Sequence, residues 1–571
     1  MSSQPTDRLK AYENTVKIEN ALRQVKNRDG GDGTQDPTVY IDEQGEKFIT
    51  TERAMKHVQP PCFTIPADNE VFDENMKPNY VFLMNHFKRE GRLSAYQLTT
   101  ILEQATEILE KEPNLLQIPC PATVVGDIHG QFYDLCKLFE MCGDPAKTQY
   151  IFLGDYVDRG DYSIEVLILL YAMKINFPQS FWMLRGNHES KRMTDYFTFK
   201  RECEVKYSKD IYRESMNSFK ALPLCAVLNE QFFCCHGGIS KELVRVTDIN
   251  SINRFRYDFP SKGLYCDIMW ADPSPDYDTE EFDTDEPSTY FRDNYERHCS
   301  YYFSHKAACR FLENNNLLSI IRAHQAQDAG YRMYRKNDST GFPSVITLFS
   351  APNYCGTYRN KAAALVYDGS TFNIKQFVSS PTPYHLPDFK DVFEWSIPFV
   401  SEKVVDILLS VLNICTDDEL VEKTPLARDV VKSLEDVPEA ITVSQMDQNI
   451  VTTTSGQKLT PGEVRASLRK KLLSIGRMSR MFTILREEAE KVEHLRSAAG
   501  GILPKGILVD GREELHNRLK SFSEARQADL MNEGLPPSEE EMEELEKVKR
   551  EKLQKYIDEG EMDLDDEDLS L

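Results

Sequence analysis

Six short apolar runs in this sequence each lead into a cluster of polar residues that could bind metal ions. The runs are Thr123–Val125, Tyr150–Leu153, Phe181–Leu184, Phe232–Cys235, Leu318–Ile321 and Val345–Phe349. The clusters that follow them read GDIHG at 126–130, GDYVDRG at 154–160, RGNHE at 185–189, HGG at 236–238, RAH at 322–324 and SAPNY at 350–354. Their Asp, His and Asn side chains offer oxygen and nitrogen donors without thiolates, which favours a catalytic divalent or trivalent ion over a structural zinc.

The apolar runs predict strands of an α/β domain, because they alternate with helical patterns between Val71 and about Ser380. Each strand would deliver its cluster at its carboxyl end, where the active sites of open α/β sheets lie. One cluster alone would be a weak signal, since an Asp in a turn usually caps a helix and a His after a strand is usually a core residue. Here four of the 11 histidines fall in the clusters, so the pattern predicts one shared site.

In this order, the six clusters resemble the signature motifs of the phosphoprotein phosphatase family of metallophosphoesterases. The resemblance extends from about Val71 to Phe377. It implies a metallophosphoesterase-type β-sandwich flanked by helices, with C-terminal regulatory helices and disordered linkers. It also implies an enzyme that hydrolyses phosphoserine and phosphothreonine in proteins through a hydroxide activated by two metal ions.

The resemblance further implies a set of metal ligands. The first metal would be held by Asp127, His129 and Asp155, and the second by Asp155, Asn187, His236 and His324. The ions in this family are typically Fe(3+) with Zn(2+), or Mn(2+) in preparations. Two ions about 3.5–4 Å apart can generate a hydroxide near neutral pH and hold both ends of an in-line displacement.

Five further residues would act on the phosphate and the leaving group. Arg159 and Arg297 would grip the phosphate oxygens, because a guanidinium group matches them with two hydrogen bonds. His188 would protonate the leaving serine or threonine oxygen while Asp158 orients its ring, and Tyr354 would contact the substrate phosphate. The sequence has no C-x5-R loop, so the cysteine-dependent chemistry of tyrosine phosphatases is not indicated.

The composition limits the partners and the compartment. Of the 571 residues 40% are apolar and 28% are charged, and the formal net charge is -24. This acidic balance opposes binding to nucleic acid or to anionic membranes. We expect no membrane span and no secretory signal, because no apolar run is long enough. The 13 cysteines form no C-x-x-C pair, so we expect reduced thiols in the cytoplasm, and also in the nucleus.

The chain divides into eight predicted regions. They are a flexible N-terminal extension (1–70), the catalytic phosphatase domain (71–385), a B-subunit-binding helix (386–418), a linker (419–461), a calmodulin-binding segment (462–490), a second linker (491–515), an autoinhibitory segment (516–537) and an acidic tail (538–571). The B-subunit-binding helix, the calmodulin-binding segment and the autoinhibitory segment follow from composition changes combined with resemblance to the calcineurin branch of the family, whereas the acidic tail is unmatched in that branch.

The helix predicted at Glu394–Asp418 is apolar nearly all round, so another surface must bury it. It resembles the helix by which the calcineurin branch binds its regulatory B subunit, an EF-hand protein that binds calcium. The resemblance assigns B-subunit contacts to Trp395, Phe399, Val400, Val404, Leu408, Val411 and Leu412. The alternative is a core helix of the catalytic domain.

From Val464 to Arg486 the chain has no acidic residue, although the whole protein is strongly acidic. Apolar residues recur every three or four positions, at Leu468, Leu472, Ile475, Met478, Phe482 and Leu485. A basic helix with one apolar face is typical of calmodulin targets, and this one resembles the calmodulin-binding segment of the calcineurin branch. A membrane-surface helix and a solvated charged helix are the alternatives.

The segment 516–537 resembles the autoinhibitory segment of the same branch. The resemblance implies that Glu533 presents its carboxylate at the dimetal site, and the alternative is a plain helix N-terminus before a Pro-Pro stop. Gly534 and Leu535 stand where Arg and Met are usual, and His298 stands where Gly is usual.

Extended substrates are predicted to dock by strand addition at Asn373, Ile374 and Lys375. This segment resembles the edge strand that binds Pro-x-Ile-x-Ile-Thr motifs in the calcineurin branch. Trp395 and Phe399 resemble a pocket for a second docking motif, and ordinary packing is the alternative in both places. Immunophilin–drug complexes are further expected partners.

The sequence therefore predicts a calcium- and calmodulin-regulated protein serine/threonine phosphatase that acts in calcium signalling. Calcium-loaded calmodulin would bind Val464–Arg486 and draw the autoinhibitory segment out of the active cleft. A phosphodiesterase or nuclease on the same fold is a second interpretation, which the two arginines and the acidic surface disfavour. A scaffold without activity is a third, although every motif position is intact.

Overall fold

The chain folds into short strands joined by helices, in an order that follows the apolar runs of the sequence. The computed structural model describes residues 39–41, 47–49, 51–52, 60–279, 290–383, 451–452, 458–459 and 522–537, and scattered positions at 385–408, 541 and 547. The strands are β1 (Val39–Ile41), β2 (Lys47–Ile49), β3 (Leu115–Ile118), β4 (Ala122–Val125), β5 (Tyr150–Phe152), β6 (Phe181–Met183), β7 (Cys225–Leu228), β8 (Phe232–Cys235), β9 (Asp272–Pro273), β10 (Phe291–Asp293), β11 (Tyr301–Phe303), β12 (Ser319–Arg322), β13 (Tyr331–Met333), β14 (Val345–Leu348), β15 (Ala362–Tyr367), β16 (Phe372–Phe377), β17 (Val451–Thr452) and β18 (Lys458–Leu459). The helices are α1 (Asp68–Val71), α2 (Tyr80–Phe87), α3 (Ala95–Lys111), α4 (Phe132–Cys142), α5 (Ser163–Asn176), α6 (Lys191–Tyr196), α7 (Phe199–Lys206), α8 (Lys209–Phe219), α9 (Leu264–Trp270), α10 (His305–Asn315) and α11 (Phe522–Asp529).

Two mixed sheets contain the strands that carry the motif clusters. One has the order β13-β14-β12-β8-β7-β3 and the other the order β16-β15-β4-β5-β6. In the second sheet β4, β5 and β6 are parallel neighbours, and in the first sheet β8, β12 and β14 are parallel neighbours. Each sheet therefore presents three carboxyl ends at one edge, as the sequence predicts for a shared site.

Alternating side chains of the central strands face different apolar layers. Val124 and Ile151 lie in the layer between the two sheets, whereas Val125 and Phe152 pack against helices. On the other sheet, Ile320 faces an outer helical layer. Because both faces are buried, these strands read as continuous apolar runs instead of alternating ones. The predicted β-sandwich flanked by helices is confirmed.

Helix α5 holds the loop 154–160, which directly precedes it. Nearly every residue of α5 is buried, as its all-round apolar pattern requires. The Glu202 carboxylate accepts hydrogen bonds from the backbone N–H groups of Ser163 at 3.1 Å and Ile164 at 3.0 Å. This side chain therefore caps the helix and anchors the end of the loop.

The segments outside the two sheets are described only in part. Among the described helices, none is both long and apolar enough to cross a bilayer. Residues 60–70 contact the domain, since Gln97 Nε2 donates to the Pro66 carbonyl at 2.9 Å and to Asp68 at 2.8 Å. The predicted calmodulin-binding residues Leu468, Leu472, Ile475, Met478, Phe482 and Leu485 lie outside the described residues.

Candidate active site

The loops that follow five strands meet at one edge of the sandwich and bring the predicted metal ligands together. The loops after β4, β5 and β6 supply Asp127, His129, Asp155 and Asn187, and those after β8 and β12 supply His236 and His324. Each of these six side chains is at most 7% exposed. A parallel backbone bridge joins Asp127 to Phe349, so the two sheets touch where the site lies.

One group of ligand atoms surrounds the side chain of Asn187. Its outer amide atom, assigned as oxygen, lies 2.8 Å from His236 Nε2, 3.0 Å from His324 Nδ1, and 3.1 and 3.3 Å from the carboxylate oxygens of Asp155. An amide nitrogen there could donate hydrogen bonds, but an amide oxygen would face only lone pairs. Such a set of lone pairs is stable when a cation lies among them, so these four residues fit a metal ion.

A second group shares Asp155 with the first. His129 Nε2 lies 3.5 Å from Asp155 Oδ2 and 3.9 Å from Asp127 Oδ2. His188 also comes within 4.8 Å of His129 and Asp155 by its nearest ligand atom. The shared carboxylate is the arrangement expected of a bridging ligand between two ions.

Backbone carbonyls fix the orientation of two of the histidines. His129 Nδ1 lies 2.9 Å from the Val157 carbonyl, and His236 Nδ1 lies 3.0 Å from the Leu153 carbonyl. A carbonyl accepts only, so each Nδ1 carries the proton and each Nε2 presents a lone pair to the site. This is the usual outer-layer support for a metal-binding imidazole.

The buried acids and imidazoles favour a bound cation electrostatically. Burial, helped by Asp155, raises the pKa of Asp127 to about 7. Burial opposes ionisation of Asp155 too, but His236 and His188 outweigh it and lower its pKa. Burial and then His188 lower the pKa of His129 to about 3. Two carboxylates so close need positive charge to ionise together, and a metal ion supplies it in place of a proton.

The backbone around these ligands is unusual. His129, Asp155, Asp158, Arg159 and His324 all have φ between 47° and 69°, a region that non-glycine residues rarely adopt and that clusters at active sites. A Cβ at Gly186 would lie 2.2 Å from Asp155 Oδ1, so only glycine lets the two loops approach this closely.

Glu189 joins the loops after β5 and β6. Its carboxylate accepts hydrogen bonds from the backbone N–H groups of Asp155 and Tyr156, both at 2.8 Å, and of Gly186 at 2.9 Å. Its presence in the RGNHE cluster was the only sequence signal for this role. The contacts explain how loops with strained residues keep a fixed shape.

His188 and Asp158 form a close pair beside the ligands. His188 Nδ1 lies 2.8 Å from Asp158 Oδ2, and Asp158 Oδ1 accepts from the backbone N–H of Phe199 at 2.9 Å. Burial alone would lower the pKa of His188, but Asp155 and Asp158 reverse the direction and raise it. The hydrogen bond to Asp158 also fixes the orientation of the His188 ring beside the candidate ligands.

The two predicted phosphate-binding arginines lie at the same cavity. Arg297 Nε donates to Asp272 Oδ2 at 2.8 Å, and its Nη2 donates to the His324 carbonyl at 3.0 Å. Asp272 also accepts from Arg322 Nη2 at 2.8 Å. The sequence analysis missed Asp272, because it lies outside the six clusters and carries no motif of its own.

Aromatic rings flank Arg159 and His188. The Arg159 guanidinium carbon lies 4.4 Å from the ring centre of Phe197 and 5.9 Å from that of Tyr354. Phe197 also lies 5.1 Å from the His188 ring, and Tyr354 lies 5.1 Å from the His129 ring. Phe197 therefore contacts both His188 and Arg159, which the sequence analysis did not predict.

Helix α11 and the turn Leu530–Asn532 lie across the cavity and bind both arginines. Arg159 Nη1 donates to Asp529 Oδ1 at 3.0 Å and its Nη2 donates to the Asn532 carbonyl at 3.2 Å. Arg297 Nη1 donates to the Glu533 carbonyl at 2.7 Å. The segment thus occupies hydrogen-bonding groups of both arginines that line the cavity.

Asp529 and Glu533 contribute differently to this contact. Glu533 lines the same cavity as the metal ligands, with Oε1 3.4 Å from Arg526 Nε and Oε2 3.9 Å from Arg297 Nη1. Asp529 makes the direct ion pair and also accepts from the Tyr358 hydroxyl at 3.0 Å. The sequence analysis named Glu533 and missed Asp529.

The predicted partner surfaces are described in part. Asn373, Ile374 and Lys375 lie on β16, at one end of the five-stranded sheet. The described positions between 393 and 408 include helical residues with exposed apolar side chains, among them Val400 at 57%, Val404 at 45% and Leu408 at 39%. Trp395, Phe399, Val411 and Leu412 lie outside the described residues.

Similarity to known proteins agrees with this site. Residues 120–328 match the family model of the calcineurin-like phosphoesterases. Serine/threonine-protein phosphatase 2B catalytic subunit A1 of Saccharomyces cerevisiae is 52% identical over 532 residues, which cover 92% of this chain and 94% of that protein. Catalytic subunit A2 of the same yeast is 48% identical, covering 92% of this chain and 90% of its own length.

The chain belongs to the serine/threonine-protein phosphatase 2B catalytic subunits. It is accordingly a protein serine/threonine phosphatase with a metallophosphoesterase fold and a candidate dinuclear metal site. A solved Saccharomyces cerevisiae serine/threonine phosphatase, described as similar to human phosphatase PP5, matches at 31% identity with a TM-score of 0.46, covering 53% of this chain and 96% of its own.

Proposed function

We propose that this phosphatase hydrolyses phosphoserine and phosphothreonine monoesters with two ions held by Asp127, His129, Asp155, Asn187, His236 and His324. The observation that carries the proposal is the convergence of these six buried donors beside two arginines and the His188 imidazole. When bound, the ions supply a nucleophile near neutral pH and neutralise the phosphate. Fe(3+) with Zn(2+) is the proposed pair, with Mn(2+) as a substitute.

The residues of this chain supply the remaining steps. Arg159 and Arg297 bind the phosphate oxygens and orient the phosphorus for in-line attack. His188 donates its proton to the leaving oxygen, and Asp158 keeps the ring oriented and charged. Two arginines suit a dianionic monoester better than a singly charged diester, which favours a phosphatase over a nuclease.

Calcium control is the second part of the proposal. An EF-hand B subunit covers the apolar helix that includes Val400, Val404 and Leu408, whose exposure supports a partner there. Calmodulin binds within 462–490 and withdraws the segment 516–537 from the cavity. Substrates dock on β16 by strand addition. Immunophilin–drug complexes bind beside the cleft. The protein acts in the cytoplasm and nucleus.

The test is phosphatase activity of the full chain with a B-type subunit on a phosphoserine peptide, with and without calcium and calmodulin. We expect strong stimulation by calmodulin. A chain that ends after Cys415 should be fully active without calmodulin. Dependence on calmodulin in that shortened chain would refute the regulatory part, and absence of activity under all conditions would refute the catalytic part.

A further inference from the structure

Gly534 lies close against the catalytic domain, beside Glu296 and His298. A Cβ at this position would lie 2.7 Å from His298 Cδ2 and 3.1 Å from the Glu296 carbonyl oxygen. The first separation is shorter than real Cβ contacts, and the second is tight. Because the His298 side chain is exposed, a larger residue fits there only if the His298 ring rotates away and the Glu296 carbonyl shifts slightly.

Conformation does not explain the glycine. Gly534 is absent from the residues with positive φ, so its backbone suits any amino acid. His298, in contrast, has a φ of 57°, where a glycine would be less strained than a histidine. His298 thus occupies a backbone position that favours glycine, whereas Gly534 occupies a position with ordinary backbone angles.

Two hydrogen bonds prevent Gly534 from moving away. Arg297 Nη1 donates to the Glu533 carbonyl at 2.7 Å, and the Leu535 N–H donates to the Arg297 carbonyl at 2.9 Å. These bonds flank Gly534 on both sides, and Leu535 packs against the core beside α9 and α10. A larger residue at 534 would therefore press on the His298 ring and the Glu296 carbonyl.

We propose that His298 and Gly534 form a steric pair that selects this chain's own C-terminal segment for its active cleft. His298 favours a segment with glycine at this position, because any larger residue must displace the His298 ring. The inference rests on the proposed regulation of the same site and specifies which segment can exercise it. His298 is a specificity residue for the segment and takes no part in phosphate hydrolysis.

The test is a double-mutant cycle in the calcium-free complex of the full chain with its B-type subunit. Gly534→Ala should raise the calcium-free activity about tenfold, because overpacking a tight contact weakens it by roughly this factor. His298→Gly should leave that activity low, and the double variant His298→Gly/Gly534→Ala should return to the low level. Gln527→Ala, at an exposed position of α11, is the matched control and should behave as the parent.

Hydrogen exchange of the Leu535 amide supplies a readout that does not depend on inhibition. We expect faster exchange in Gly534→Ala and recovery of protection in the double variant. Unchanged exchange in Gly534→Ala, or a double variant that stays unprotected, would overturn the steric pair. If exchange follows the cycle but calmodulin never stimulates the parent, the pair stands and the proposed regulation fails.

Discussion

The catalytic loops and the C-terminal segment meet at the same two arginines but are held there in different ways. The loops are fixed by buried hydrogen bonds, such as those from three backbone N–H groups to the Glu189 carboxylate. The segment 522–537 relies on a few polar contacts, chiefly with Arg159 and Arg297, and on two small apolar contacts, around Ala525 and at Leu535. The loops that form the cavity are therefore held by many more buried contacts than the segment that covers it.

The shared arginines explain how a short segment can cover such a site. Asp529 and the carbonyl oxygens of Asn532 and Glu533 bind the guanidinium groups as phosphate oxygens would. Charge-assisted hydrogen bonds are among the stronger polar contacts. Few residues are then needed to hold the segment, and few changes should suffice to free it.

The largest effect should come from a substitution in the catalytic loops, at Asp155, which both candidate metal sites share. Asp155→Asn should lower activity by about three orders of magnitude or more, because it weakens the site for both ions. Metal content measured by elemental analysis should fall in parallel. Asp210→Asn, at a side chain that is 75% exposed, serves as the control. An Asp155→Asn protein with parental activity would remove the basis for a dinuclear site.

A change at the proposed acid should cost less and should depend on the substrate. His188→Gln should lower turnover of a phosphoserine peptide about a hundredfold, because the alkoxide then leaves without a proton. p-Nitrophenyl phosphate has a good leaving group, so its turnover should fall far less. Equal losses on both substrates would mean that His188 acts otherwise, for example as a metal ligand.

A substitution in the C-terminal segment should raise the calcium-free activity instead of lowering it. Asp529→Asn removes the charge that pairs with Arg159, so calcium-free activity should rise about tenfold. The calmodulin-saturated activity should stay constant, because the segment then lies outside the cavity. Comparison with Glu533→Gln separates the two acids, and a larger rise in Glu533→Gln would reverse the ranking given by the structure.

The smallest effect is expected at Phe197, whose ring lies beside Arg159, where the catalytic loops and the C-terminal segment meet. Phe197→Leu keeps an apolar side chain but removes the ring beneath Arg159, which should cost about threefold in kcat/KM. Phe197→Tyr should retain most of the activity. Since Phe197 also contacts His188, a pH profile shifted in the leucine variant would indicate that the ring orients the acid as well as the arginine.

The sequence predicted the strands and catalytic loops much better than the contacts of the segment 522–537. The six predicted strands agree with the observed ones to within about one residue at each end, because continuous apolar runs followed by glycine clusters mark buried strands and their ends. Glu189 lay inside a motif, but its backbone contacts depend on two loops that only the fold brings together.

The missed residues depend on contacts that no local pattern records. Asp529 pairs with an arginine 370 positions away, and Asp272 connects Arg297 to Arg322 from a short strand without a motif. Resemblance directed attention to Glu533 as the blocking carboxylate, while the direct ion pair lies one helical turn earlier. The compensation between His298 and Gly534 likewise becomes visible only when the two positions are neighbours in space.

The backbone bridge between Asp127 and Phe349 closes a seam between the two sheets, and the metal ligands are divided across that seam. Four of them follow strands of one sheet and two follow strands of the other, yet no ligand belongs to a strand itself. Bound ions would therefore link the two sheets. Removal of the ions by a chelator should then lower the Tm as well as the turnover.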